Sequence, residues 1–510
     1  MTGRIFRLLA ALWLLLAAAA PAAAEWRRAE SPNFIAFSQE DGARLRARVT
    51  MLEDYAALLR LLSGAPAESA PAPKLRVYFV RRPDDIALVP PLSIFVPGFY
   101  TSSSSGTAAF VNAANPASNE ILFHEYAHHF MMQYHAGAYP PWYVEGFAEY
   151  LGPTRFTERH IELGRMNGVR SSWLFQRSDW LPTERVLFER DRLKDIGDVS
   201  RFYAQSWLIT HYLFGNEARR AQLVRYLQAL GRGQEPPAAF QASFGMTPAE
   251  MHHRLVRYSR EGIVFRRIER ASIGRPVEIA VTTLPASADQ LLVAEAALLV
   301  GRIPTAEQLT RMRRDAARLD DPYARRVLAR AEALHGDGAT AERLLTGLIE
   351  ADPNDAELLY LRGMRHLVAS RAVEGDERRA QFRQARPWFT RAHRADPAHM
   401  PSLYRYVQTF SAEPDFTTDN NTNAMLLAVQ LAPQVADARM NAAKMLLIRR
   451  EFELAERMLQ PLASTAHSGD QADAARALLE QVRARNAEGV ELIFDQPPET
   501  PREPGRRGRD

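Results

Sequence analysis

His124-Glu125-Tyr126-Ala127-His128 places two imidazoles four residues apart within Ile121 to Met132, a stretch apolar and long enough for a buried helix. At about 100° per residue such histidines stand one turn above each other on one helical face, within reach of a single metal ion. Glu125 projects beside them. A carboxylate there can take a proton from a water at the metal without occupying a coordination position itself. Catalytic zinc takes three protein ligands and one water, so one ligand must come from elsewhere. The stretch Pro141-Trp142-Tyr143-Val144-Glu145-Gly146-Phe147-Ala148-Glu149-Tyr150 is the candidate. Sixteen residues separate His128 from Glu145, enough for the rest of one helix, a turn through Gly137 to Pro141, and the start of a second helix.

Together, H-E-Y-A-H and the downstream W-Y-V-E-G-F-A-E-Y resemble the gluzincin clan of metallopeptidases, in which H-E-x-x-H is followed by a glutamate from a later helix, often within E-G-x-A. The resemblance is close over residues 115 to 151 and loose beyond. It implies zinc held by His124, His128 and Glu145, with Glu125 as general base. It also implies that Glu149, four residues after Glu145, is hydrogen-bonded to a ligand histidine and so fixes its tautomer. Related peptidases place a tyrosine tens of residues further on as a donor to the oxyanion. Tyr203, in Phe202-Tyr203-Ala204-Gln205, is the match, and a ring packed in the core is the alternative reading. His129 and His135 lie off the ligand face or beyond the helix and are expected to pack or face solvent, and His211, His252 and His253 are expected to be structural.

These helices need a platform. Strands are expected around Phe34 to Phe37, at Leu75 to Val80 and at Gly106 to Asn112, with an amphipathic helix over 41–62 ended by Ser63-Gly64. Asn115-Pro116 reads as the start of the metal helix. In gluzincins a strand beside the cleft pairs with an extended substrate, and Phe99 to Val111 is the candidate here. Beyond Leu151 a short strand is expected at His160 to Leu163. Helices are expected at Arg201 to Phe214, Ala218 to Leu230 and Pro248 to Ser259, the last opened by a Thr247/Glu250 capping box.

Arg4 and Arg7, the apolar run Leu8 to Ala20 and Ala22-Ala23-Ala24 read as an export signal cut after Ala24, too short to span a bilayer comfortably. Its removal takes the formal charge from +4 to +2. So slight an excess argues against nucleic-acid binding. The chain has no cysteine, which excludes disulfides, thiolate metal sites and cysteine nucleophiles. Export without disulfides suits a bacterial periplasm.

The second half carries a repeat. Ala341, Leu345 and Pro353 recur in register as Ala385, Phe389 and Pro397, and the pattern continues through Pro433, Ala443, Ala455, Leu459 and Leu462. These units resemble degenerate tetratricopeptide repeats, the second enlarged by about ten residues around Val373 to Arg379 relative to the 34-residue period. Such a solenoid presents a groove for a protein partner.

The expected organisation is a signal peptide (1–24), an α+β zincin-like peptidase domain (25–270), a linker (271–285), an all-α repeat solenoid (286–488) and a disordered tail (489–510) with no assigned role. The expected function is that of a zinc peptidase acting on a cell-envelope protein recruited through the repeats. A periplasmic scaffold whose metal site is not catalytic is the alternative, and the intact Glu125 favours the peptidase. Cleavage is expected to be internal, because Tyr100 to Thr107 offers no carboxylate to hold a substrate ammonium.

Overall fold

The computed structural model describes residues 25–65, 72–89, 98–175, 177–274, 277–464 and 469–494. The expected signal peptide and the chain beyond Phe494 lie outside these residues. An α/β region built on a mixed sheet is followed by a region of helical hairpins, and no helix among the described residues is long and apolar enough to cross a membrane.

Strands β1 (Arg27–Glu30), β2 (Phe34–Ser38), β3 (Leu75–Val80), β4 (Gly98–Ser103), β5 (Gly106–Asn112) and β9 (Ala280–Thr283) form one sheet in the order β4-β5-β3-β2-β1-β9. Strands β2, β3 and β5 run parallel, whereas β4, β1 and β9 pair antiparallel with their neighbours. Three shorter strands, β6 (Arg155–Phe156), β7 (His160–Leu163) and β8 (Arg266–Glu269), make a second sheet.

Helices α1 (Gly42–Ser63), α2 (Pro83–Leu88), α3 (Ser118–His135) and α4 (Pro141–Leu151) alternate with or follow the sheet strands. Asp41 caps α1 by accepting from the Arg44 amide, and Gly64 ends it in the left-handed region at φ 70°, where a β-carbon would be strained. Helix α3, which carries His124 and His128, starts at Ser118, later than Asn115-Pro116 suggests. The Asn115 carboxamide accepts from the Ala117 amide and holds the preceding residues in a turn. Then come α5 (Gly168–Phe175), α6 (Thr183–Phe188), α7 (Ile196–Phe214), α8 (Glu217–Gly231), α9 (Pro236–Phe244) and α10 (Pro248–Arg260), the last with its capping box formed.

The sheet is covered on both sides, which is why Leu75-Arg76-Val77-Tyr78-Phe79-Val80 reads as an almost unbroken apolar run. Val77 and Phe79, with Ala109 and Val111, face the core made by α1 and α3. The alternate residues Tyr78 and Val80, with Ala108 and Phe110, face the helical half. On that face Phe37, Tyr78, Phe110 and Phe99 stack in a ladder across four strands, with centroids 4.9, 4.9 and 5.0 Å apart.

The helical half comprises α11 (Ala288–Leu299), α12 (Ala306–Leu319), α13 (Pro322–His335), α14 (Gly338–Ala351), α15 (Ala356–Ala369), α16 (Gly375–Ala395), α17 (Met400–Gln408), α18 (Asp419–Leu431), α19 (Ala436–Ile448), α20 (Phe452–Ala463) and α21 (Asp470–Arg483). The repeat register is visible in the packing: Ala341, Leu345, Ala385, Phe389, Ala455 and Leu459 are all fully buried. The enlargement of the second unit is a 3-10 turn (Ser370–Ala372) and a longer second helix, since α16 has 21 residues where α14 has 14.

Three boundaries differ from the sequence reading. The expected linker contains β9, which pairs with β1 through Ala280 to Thr283, so the sheet is completed only after residue 271. Residues 489–494, expected to begin a disordered tail, are packed. The Asn441 carboxamide donates to Ile493 O (2.7 Å) and accepts from Ile493 N (3.0 Å), and the Phe494 ring lies 5.3 Å from that of Tyr404. Finally, the helical half is not separate: Ala288, Leu292, Val293 and Ala296 of α11 share a core with Trp26, Tyr78 and Phe110. Each large side chain so buried contributes about 1.5–3 kcal/mol.

An ionic cluster fixes the same interface. Arg330 on α13 pairs with Glu357 on α15 (2.9 Å), which also meets Arg76 on β3 (3.8 Å) and His399 (3.4 Å). Arg405 on α17 donates to Ser104 Oγ (3.3 Å) at the tip of the β4–β5 hairpin. At these positions the helical half is engaged by the protein's own sheet.

Candidate metal centre

Helix α3 carries His124 and His128 with their Nε2 atoms 3.1 Å apart. Helix α4 brings Glu145 Oε2 to 3.6 Å from His124 Nε2 and 3.5 Å from His128 Nε2. Around four-coordinate zinc, with bonds of about 2.0–2.2 Å, ligand atoms stand about 3.3–3.6 Å apart. The two edges to Glu145 fall in that range, and the edge between the histidines is about 0.2 Å short of it. Glu145 is fully buried, and a carboxylate withdrawn from water needs compensating positive charge. Among the described residues this is the one group of three or more histidine and acidic side chains placed to hold a metal ion.

The sequence around Glu145 explains its placement. Trp142 is buried and stacks near Tyr226 of α8 (6.3 Å, 20°), while Tyr150 packs edge-on against His211 (5.6 Å) and Phe214 (5.1 Å) of α7. These anchors hold both ends of α4. Between them Gly146 touches α7, where a β-carbon would lie 2.5 Å from Ser206 O. Close crossing there fixes the rotation of α4, so that Glu145 and Glu149, one turn apart, both face α3. Gly152 keeps α4 close to α3 at its end: a β-carbon would stand a tight 3.3 Å from the Glu120 carbonyl oxygen.

Glu149 Oε1 lies 3.8 Å from His124 Nδ1, on the opposite side of the ring from Nε2, an ion-pair separation rather than the hydrogen bond expected from the sequence. Burial alone would lower the His124 pKa. The Glu145 hydrogen bond and the charges of Glu149, Glu145 and Glu125 outweigh it and raise the pKa to about 9. The pocket thus favours a cation. Glu125 is half-buried, and its charge reaches Tyr100 on β4 as well as His124.

The structure gathers His124, His128, Glu145 and Glu149, with Glu125 beside them. Tyr203 is half-buried in the second turn of α7, its ring 5.9 Å from that of Phe202. It lies one turn before Ser206, on the helix that supports α4, and its helix begins at Ile196 rather than at Arg201. His129 is buried, and burial lowers its pKa to about 4. His211 is buried and hydrogen-bonded to Tyr258 Oη at 2.7 Å.

Sequence reasoning missed the contact between Tyr100 Oη and His129 Nδ1, at 3.0 Å, which ties β4 to α3 beside Glu125. Its only sequence trace is that His129 is four residues from Glu125 and so shares its stripe.

Residues 120–237 match the family described as a protein of unknown function, DUF1570. That span includes His124, Glu125, His128, Glu145, Glu149 and Tyr203. No curated protein matches the sequence. A crystal structure of a thermophilic TPR protein from Thermus thermophilus is similar over 38% of this chain and 100% of that one, at 19% identity and a TM-score of 0.32.

Proposed function

We propose that the protein is a zinc-dependent endopeptidase of gluzincin type. The observation that carries the reading is the triangle of His124, His128 and Glu145, whose edges of 3.1, 3.5 and 3.6 Å lie within about 0.2 Å of the separations around tetrahedral zinc, with Glu125 next to it on the same helix. Zinc held there supplies Lewis acidity, which activates water and polarises a substrate carbonyl.

The remaining work falls to this chain's side chains. Glu125 accepts a proton from the attacking water and returns it to the leaving amine. Glu149 holds the His124 ring through Nδ1. Tyr203 donates to the developing negative charge on the carbonyl oxygen. Strand β4, at the sheet edge and along α3, offers backbone groups to an extended substrate, which suits internal cleavage.

The export signal read from residues 1–24 argues for this activity in the cell envelope, acting on an envelope protein that the helical repeats help to recruit. Glu125→Gln should keep zinc and lose cleavage, whereas His128→Ala should lose both. Zinc content and casein digestion of the full chain decide between this reading and a non-catalytic scaffold.

A further inference from the structure

Glu357 on α15 and Arg405 on α17 reach the sheet through Arg76 and Ser104. On α19, two helices further along, the neighbour is a later segment of the helical half itself. Arg485 and Gly489, at φ 54° and 69°, turn the chain back after α21, and residues 491–494 then run as irregular chain from α19 to α17. Residues 492–494 are held as a receptor holds a peptide. The Asn441 carboxamide donates to Ile493 O (2.7 Å) and accepts from Ile493 N (3.0 Å), the two bonds that a residue of an antiparallel neighbour strand would make. Arg405 donates to Phe494 O (3.1 Å).

The side chains follow the same logic. Phe494 is buried among Met400, Tyr404 and Met425, and Leu492 packs on the same cluster, whereas Ile493 between them is 46% exposed. Main chain is read at Ile493, and apolar bulk on either side of it. Asn441 is 1% exposed and donates to Tyr404 Oη as well (3.0 Å). A carboxamide so deeply buried is costly unless main chain completes its bonds, and packing alone would call for an apolar residue there. The hold is nevertheless slight. Three hydrogen bonds and two apolar side chains are set against the entropy of ordering the segment, so it opens well before the helices unfold.

We propose that Leu492-Ile493-Phe494 is a built-in ligand closing a peptide seat on α17 and α19, and that an extended segment of a partner protein, with a bulky aliphatic residue two before an aromatic one, displaces it. The proposal rests on the recruitment part of the proposed function, which it deepens, and uses nothing of the metal centre. Held in cis, the segment competes at an effective concentration of about millimolar. A partner segment therefore binds the wild-type chain far more weakly than it binds the open seat.

The probe is a fluorescein-labelled peptide with the sequence of residues 488–495, titrated against the full-length protein and read by fluorescence anisotropy. Phe494→Ser, which unseats the cis segment, should bind the probe at least about tenfold more tightly than wild type does. Adding Asn441→Leu should weaken that binding about tenfold, and a probe with serine in place of its phenylalanine should not bind. Equal probe affinity in wild type and a folded Phe494→Ser protein overturns the proposal. Hydrogen exchange of the wild type decides the matter without any variant. The Ile493 amide should exchange through local opening, at least about a hundredfold faster than the buried Leu446 and Leu447 amides of α19. Exchange at the rate of global unfolding would make the segment part of the fold and overturns the proposal too. Wild-type dimers that form with rising concentration and vanish in Phe494→Ser would assign the seat to a second copy's segment and overturn the partner. Casein cleavage is read separately: its absence with probe binding intact removes the peptidase reading alone, and cleavage without probe binding removes the seat alone.

Discussion

Gly146 lies so close to Thr210 that a β-carbon on the glycine would sit 2.2 Å from the threonine Oγ1. The residue next to the proposed ligand Glu145 is thus the point where α4 rests on α7. In an exposed helix, Gly→Ala would gain about 1 kcal/mol of helix propensity. Here the methyl group also meets the Ser206 carbonyl, so α4 must move away. Gly146→Ala is expected to cost about 2 kcal/mol of stability and to weaken zinc binding by displacing Glu145. Thermal unfolding and chelator competition measure both, and a stabilised variant with unchanged zinc affinity would refute the argument.

In the proposed site Glu149 would act on zinc only through the His124 ring. Glu149→Ala is expected to lower zinc affinity about 10–100-fold while leaving the His124, His128 and Glu145 ligand set intact. Competition with a fluorescent chelator reads this directly. If Glu149 were itself a ligand, stoichiometric zinc would be lost.

Acid should loosen the grip of the helical half on the sheet. Burial alone would raise the Glu357 pKa, but Arg330, His399 and Arg76 together hold it well below the ordinary carboxylate value. A carboxylate depressed in this way stabilises the fold at pH above its unfolded pKa of about 4.3. That contribution is lost as pH falls from there through the folded value. Glu357→Gln is expected to cost about 3 kcal/mol at pH 7, since it removes the nearer of two carboxylate partners of buried Arg330, which keeps Glu295 at 3.6 Å. The gap between wild type and variant should narrow in unfolding measurements below about pH 4.

A chain ending at Leu284 retains every proposed catalytic and metal residue, and sequence alone suggests that it is an independent unit. The structure argues otherwise. Removing α11 uncovers Tyr78, Val80 and Phe110 on the far face of the sheet. The truncated protein is expected to aggregate or unfold, as size-exclusion chromatography and circular dichroism would show. A soluble monomer that binds zinc would mean that the shared core is dispensable.

The candidate metal centre was legible in the sequence because its signals are local. The His124–His128 spacing is one helical turn, and Glu145 follows across a single turn of chain. The strands at Phe34, Leu75 and Gly106 were legible from their apolar runs, and the hairpin register from Ala341, Leu345, Ala385 and Phe389. What could not be read is pairing between distant segments. Nothing local in Ala280 to Thr283 says that it pairs with Arg27 to Glu30. Likewise Tyr78 and Phe110 look like core residues, yet whether a helix of this chain or a partner covers them depends on three-dimensional placement. The ladder that they form with Phe37 and Phe99 meets α11, some two hundred residues away.

In the proposed reaction Glu125 moves the proton in a zinc-dependent peptide hydrolysis at His124, His128 and Glu145. Its most direct test is casein cleavage by full-length wild type and Glu125→Gln, each loaded with zinc and assayed for metal content. Equal zinc, with cleavage by the wild type and a loss of about a hundredfold or more in the variant, is the predicted result. Full turnover by Glu125→Gln at equal zinc content would contradict it.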